Sequence, residues 1–142
     1  MTSTAQQLPP KLEKILQKFQ RITEPKQRYE YVLWFAKRLP SFPDEDKIPE
    51  YRVPGCVSQV HLTANIQDGC IFYQADSDAQ IPKGLVGLLV EGLNGTKPEE
   101  VAQLSPDFIK RTGLDVSLTP SRSNGFYNIF KMMQQKAIAL SP

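Results

Sequence analysis

The sequence predicts an α+β domain: a small antiparallel sheet of about three strands with helices packed against it. Three observations carry that reading. Apolar residues recur at helical spacing over residues 10–39 and again near the C-terminus. Between them an alternating stretch is broken by Asp68-Gly69, a pair that tolerates positive φ and marks a hairpin. Helices come first, then a meander, then helices, an order that suits helices packed on a small sheet. The 142 residues suit one domain over 1–142, with residues 1–8 as a flexible N-terminal tail.

Leu12, Ile15, Leu16, Phe19 and Ile22 give the segment from Pro10 to Ile22 one apolar face. Thr23-Glu24-Pro25 opens a second helix, since proline is accepted in a first turn. Tyr29, Val32, Leu33, Ala36 and Leu39 line it until Leu39-Pro40-Ser41-Phe42-Pro43 stops it. The charged stretch to Pro54 reads as an extended surface loop, and its end, Tyr51-Arg52-Val53, fits a short strand. A strand follows from Val57 to Ile66, and Cys70 to Ala75 returns. With Asp68-Gly69 as a two-residue turn, Gln67 faces Cys70, Ile66 faces Ile71 and Leu62 faces Ala75. Leu62, Ala64, Ile66, Ile71, Tyr73 and Ala75 then point inward, Asp76 lies opposite His61, and Asp78 lies opposite Gln59.

A helix from about Pro82 to Leu93 carries Gly84, Gly87 and Gly92, whose low propensity points to close packing on another backbone. Lys97-Pro98-Glu99-Glu100 starts a short helix, and Ser105-Pro106-Asp107 starts another that ends near Gly113. Thr119 and Pro120 cap and begin the last helix, which buries Phe126, Ile129, Phe130, Met133 and Ala137.

The net charge is +2 with the basic residues spread along the chain, so nothing marks a nucleic-acid partner. No apolar run approaches the ~20 residues that a membrane span needs. The N-terminus lacks a signal-peptide pattern, which favours a reducing, cytoplasmic-type compartment; a plastid stroma after import stays open. Two cysteines without CxxC and a single histidine, His61, argue against a metal centre. Cys70 lies at the turn end of the hairpin. Cys56 lies roughly 36 Å away along a straight strand, so the two do not bridge. Cys70 reads as a small strand residue.

Cys56 follows a Pro-Gly turn and precedes a β-type run, which presents a thiol at the tip of a rigid element. Gly55 removes a side chain beside the sulfur. The hairpin returns Asp76-Ser77-Asp78 to the same end of the sheet. The N-terminus of the helix beginning near Pro82 points there too, and its partial positive charge favours thiolate while the acidic pair opposes it. Which wins is open. Arg122, in the first turn of the last helix, opposes the helix dipole and calls for a partner. A salt bridge to Asp76 or Asp78 is the plain reading, and steadying an anionic sulfur is the functional one. His61 lies ~16 Å from Cys56 along an extended strand, too far for a catalytic base. It reads as a partly exposed strand residue near Asp76. A thiol without a base receives or hands on a group; it does not break bonds unaided.

Gly55-Cys56-Val57-Ser58-Gln59-Val60 resembles the active-cysteine signature of the SufE-type cysteine desulfuration proteins. Asp76-Ser77-Asp78-Ala79 with Lys83-Gly84-Leu85 resembles that family's second block, and Leu118 to Gly125 its third. Arg38-Leu39-Pro40 and Asp44-Glu45-Asp46 fit as well, and the similarity runs from about Leu8 to Ala139. The resemblance implies a SufE/IscU-like fold. It implies a sulfur carrier without stand-alone turnover or cofactor of its own. Cys56 would take persulfide sulfur from a pyridoxal-phosphate-dependent, SufS-type cysteine desulfurase, stimulate that enzyme, and pass the sulfur to the SufBCD scaffold. The implied surroundings of Cys56 are Gly55, Ser58, Gln59, Asp76, Asp78, Lys83 and Arg122, on a loop that swings out from a sheltered pocket. His61 stands where family members often carry tryptophan, and Pro82 where they carry an aliphatic residue. A thiol redox sensor using Cys56 and a non-catalytic interaction domain are the competing readings. Oligomeric state, a homodimer included, stays open.

Overall fold

A computed structural model describes residues 7–114 and 118–142 of the chain. Of the expected tail over 1–8, residues 1–6 lie outside the described residues. Helix α1 spans Pro10–Arg21 and buries Leu12, Ile15, Leu16 and Phe19. Its first residue is a proline, whose missing N–H is lost only where the helix would not have used it. Helix α2 spans Pro25–Arg38 and buries Val32, Phe35 and Ala36. Two 3₁₀ turns, Asp44–Asp46 and Pro49–Tyr51, fold the segment expected to be extended.

Strands β1, Val60–Gln67, and β2, Cys70–Ser77, form an antiparallel hairpin. The expected register holds: Gln67 faces Cys70, Leu62 faces Ala75 and His61 faces Asp76. Asp68 and Gly69 have φ of 53° and 78°, the paired positive values that a tight hairpin turn requires. Among the described residues the sheet has two strands instead of about three. Tyr51 is taken by the 3₁₀ turn, Arg52 makes only an isolated bridge to His61, and Val53 donates to the Val60 carbonyl at 2.8 Å. Pro54 has no N–H with which to extend the pairing. The strand expected from Val57 starts three residues later. Gly55, at φ 80°, turns the chain, and Val57 stands 83 % exposed.

The inward face is also shorter than expected. Leu62, Ile71, Tyr73 and Ala75 are buried, Ala64 is half-buried and Ile66 is exposed, so the hairpin tip projects beyond its helical cover. His61, expected to be partly exposed, is buried on the other face, its ring 6.4 Å from that of Phe42. The segment after α2 folds over it.

Helix α3, Gln80–Leu93, is the central element and buries ten of its residues, Gly84 and Gly87 among them. It starts two residues before Pro82, which a first turn accommodates. It packs on β2 and, on its other sides, on α1 and α2. A Cβ at Gly84 would collide with the Val32 carbonyl oxygen, and one at Gly87 would sit 2.9 Å from that of Phe35. The glycines therefore let α2 and α3 touch backbone to backbone. Helix α4, Pro98–Gln103, and a 3₁₀ segment, Pro106–Thr112, lead to Gly113 at φ 71°. Helix α5, Pro120–Leu140, has Thr119 as its N-cap and buries Phe126, Ile129, Phe130, Met133 and Ala137, as its spacing predicts.

Candidate functional site

Gly55 and Cys56 are seated on the first three turns of α5. Residues Ser121, Arg122, Gly125, Asn128 and Ile129 recur at three and four positions and so share one face of that helix. Gly55 fits against it so closely that a Cβ would lie 2.6 Å from Asn128 Nδ2. Cys56 turns inward from there. Its Sγ donates to the Gly125 carbonyl at 3.7 Å, a weak bond of the kind sulfur makes. The thiol is half-buried, not held out at a tip.

It opens on a pocket of about 130 Å³ lined by Cys56, Val57, Ser58, Pro82, Leu85, Ser121, Arg122, Gly125 and Ile129. Leu85 and Ile129 form an apolar wall, and Ser58, Ser121 and Arg122 supply polar groups. Among the described residues the lining holds no carboxylate or imidazole, and so no general base. Burial pushes the Cys56 thiol above its ordinary pKa, and the charge of Arg52 pulls part of the way back. Arg52 is a charge that sequence reading does not set beside the thiol.

The outer end of the loop is pinned to β2. Asp78 Oδ1 accepts from the Gln59 N–H at 3.0 Å, and the Asp78 N–H donates to the Gln59 carbonyl at 3.2 Å. The opposition of Gln59 and Asp78 read from the register is therefore a two-bond clamp just beyond the ladder. Asp76 faces elsewhere. Its carboxylate lies 3.3 Å from Lys83 Nζ and 3.4 Å from Lys47 Nζ. Burial acts to raise the Asp76 pKa, but the Ser77 amide and the two lysines outweigh it and hold it below the usual value.

Among the suspected residues, Ser58 and Arg122 share the pocket with Cys56, and Gly55 shapes the turn into it. Gln59, Asp76 and Asp78 line a separate cleft with Lys47, His61 and Ser77, and Lys83 pairs with Asp76 at its edge. The ion pair expected between Arg122 and Asp76 or Asp78 is not formed. Lysines occupy Asp76 and the Gln59 backbone occupies Asp78. Among the described residues Arg122 makes no ion pair, and its backbone N–H bonds the Thr119 cap at 3.4 Å. Sequence reading passed over Arg52, Gly125, Asn128 and Ile129. The face shared by residues 121, 125 and 128 was a visible signal, but only the folded loop shows what sits on it. Both cysteines are free, and no group of three or more His, Cys, Asp or Glu side chains among the described residues could hold a metal.

A family model, SufE, the Fe–S metabolism associated domain, matches residues 13–137. An uncharacterized SufE-like protein of Synechocystis is 62 % identical, over 93 % of this chain and 83 % of its own length. SufE-like protein 1 of Arabidopsis thaliana, chloroplastic/mitochondrial, is 43 % identical over 95 % of this chain but only 37 % of its own. The cysteine desulfuration protein SufE of Plasmodium falciparum is 34 % identical over 89 % of this chain and 53 % of its own. The chain therefore spans most of the cyanobacterial relative and about half or less of the other two. A solved hypothetical protein from Thermus thermophilus superposes with a TM-score of 0.81 at 27 % identity, over 94 % of this chain and 97 % of that one.

Proposed function

The chain belongs to the SufE family, and we propose that it is a sulfur carrier in which Cys56 accepts persulfide sulfur from a SufS-type cysteine desulfurase. The carrying observation is a thiol at a small pocket that has an apolar wall, a cation and, among the described residues, no general base. Hydrolysis or acyl transfer would need that base. Sulfur transfer does not. The Cys56 thiolate attacks the terminal sulfur of the partner's cysteine persulfide, a new S–S bond forms on Cys56, and the partner's S–S bond breaks. The partner's cysteine leaves as a thiolate and takes up a proton, so no outside oxidant or reductant is consumed.

The carried sulfur occupies the pocket between partners and is then passed to a scaffold of the SufBCD type. The desulfurase brings its own pyridoxal phosphate, and the carrier needs no cofactor. Ser58 and Arg122 are the polar groups placed to meet the terminal sulfur. The half-buried thiol favours this reading over a redox sensor, whose cysteine is normally solvent-accessible. A reducing compartment, bacterial cytoplasm or plastid stroma, suits a free thiol of this kind.

The test is desulfurase turnover on free cysteine with and without this chain. The wild-type protein and Cys70→Ser should raise turnover, and Cys56→Ser should not. Stimulation by Cys56→Ser equal to wild type would refute the carrier role.

A further inference from the structure

A second and larger cleft, of about 320 Å³, lies at the other end of α3. Pro82 and Leu85 near the start of α3 line the Cys56 pocket, whereas Val90, Glu91 and Asn94 line this one. The two are separated by roughly 12 Å along the helix. Leu39, Pro40, Ala75 and Val90 give the cleft an apolar interior, and Lys11 and Arg38 stand at its rim.

The outer edge of β2 runs into this cleft. In the hairpin register, Ile71, Tyr73 and Ala75 stand in non-hydrogen-bonded pairs with β1, so their backbone groups point away from it. Each of the first two finds a substitute strand. The Ile71 N–H donates to the Thr96 carbonyl and the Gly95 N–H to the Ile71 carbonyl, at 2.8 and 2.9 Å. The Tyr73 N–H donates to Asn94 Oδ1 at 2.8 Å, and Asn94 Nδ2 donates back to the Tyr73 carbonyl at 3.4 Å. Asn94 thus imitates a peptide group. The next rung, Ala75, has no such partner among the described residues, although the residue is buried. An open rung on a sheet edge is a template for a strand from outside.

The charge around the cleft says what kind. Among the described residues its lining carries two cations, Lys11 and Arg38, against one carboxylate, Glu91. Lys11 makes no ion pair among the described residues. Arg38 bonds Glu91 at 2.9 Å and lies 4.4 Å over the ring of Trp34, which is 44 % exposed. Tryptophan and arginine are the residue types that most often carry binding energy at interfaces. A nucleic-acid backbone fits poorly, because a phosphodiester has no N–H to give the Ala75 carbonyl. A peptide group offers both an acceptor and a donor to the open rung.

We propose that this cleft docks a short, extended, acidic segment of a partner protein, which pairs with the Ala75 backbone while its carboxylates meet Lys11 and Arg38. The mode is strand addition limited to one rung, because Asn94 closes the edge beyond it. The cleft stands apart from Cys56, so such a partner and a desulfurase can be held together. The proposal does not rest on sulfur transfer, and its test uses no desulfurase.

The isotope-labelled full chain is titrated, by amide NMR, with acetylated and amidated Glu-Val-Glu-Val-Glu. Saturable shifts centred on Ala75, Leu39 and Asn94 are expected, with slower hydrogen exchange at the Ala75 amide. Binding should weaken at least about tenfold with Lys11→Glu, which breaks no ion pair, and should fall with added salt. Absence of shifts at millimolar peptide would overturn the proposal. So would equal binding by Lys-Val-Lys-Val-Lys, by the peptide with N-methylated valines, or by an oligothymidine of like charge. Shifts centred on Val57 would overturn it as well, since they report the Cys56 mouth.

Discussion

At the residue scale the chemistry turns on how Cys56 is held. Its protonation is governed first by desolvation and then by Arg52. The rate of alkylation by iodoacetamide should therefore rise with pH through a midpoint above that of an exposed thiol, and Arg52→Ala should move it higher. Stability follows with a definite sign. The folded thiol keeps its proton to higher pH than the unfolded one, so its contribution is whole below the unfolded pKa. That contribution declines as pH rises towards the folded value. Gly55 is the second test. Gly55→Ala places a Cβ at φ 80° and 2.6 Å from Asn128 Nδ2, and should cost about 1–2 kcal/mol in urea unfolding. Adding Asn128→Ala should recover only the collision, leaving the backbone strain. Of these features, the Pro-Gly-Cys string was legible in the sequence. That the sulfur turns inward was not, because the seat lies on α5, about seventy residues on.

At the element scale the hairpin was the most legible part of the chain. Asp68-Gly69 fixes the turn, the turn fixes the register, and period-two alternation then places each side chain. The register also placed Gln59 opposite Asp78, which the structure makes a clamp on the loop. Asp78→Ala should raise the alkylation rate of Cys56 several-fold at pH 8 with circular dichroism unchanged. An unchanged rate would show that the clamp does not hold the loop. The strand start was misread because alternation continues through Val57 and Gln59, whereas Gly55 redirects the backbone first. Ile66 was misread because alternation gives a face but not how far the helices reach beneath it. The glycines of α3 were read correctly as contact points. Gly84→Ala drives a methyl into the Val32 carbonyl, a backbone group that cannot swing away, and should cost about 3 kcal/mol or more by urea unfolding. A loss below about 1 kcal/mol would mean that α2 slides freely on α3.

At the scale of the whole molecule, one core joins sheet and helices. The family match begins inside α1 and ends inside α5, so it covers that core from Ile15 onward and the loop seated on it. Distant ends are tied by side chains as well as by packing. Arg111 donates twice to the Glu13 carboxylate, at 2.8 and 2.6 Å, joining the 3₁₀ segment before Gly113 to α1. Ion pairs thus hold elements together at Asp76 and Glu13, while Arg122 faces the thiol pocket without a carboxylate partner among the described residues. That division was not legible, because the sequence shows which charges exist but not which neighbours claim them. The claim that joins these scales is that Cys56 alone carries sulfur. It is tested most directly by incubating the chain with a SufS-type desulfurase and cysteine, then mapping added sulfur by mass spectrometry of the unreduced protein. The account predicts one extra sulfur atom on the peptide containing Cys56, none on that containing Cys70, and none in Cys56→Ser; sulfur on Cys70, or its persistence in Cys56→Ser, would contradict it.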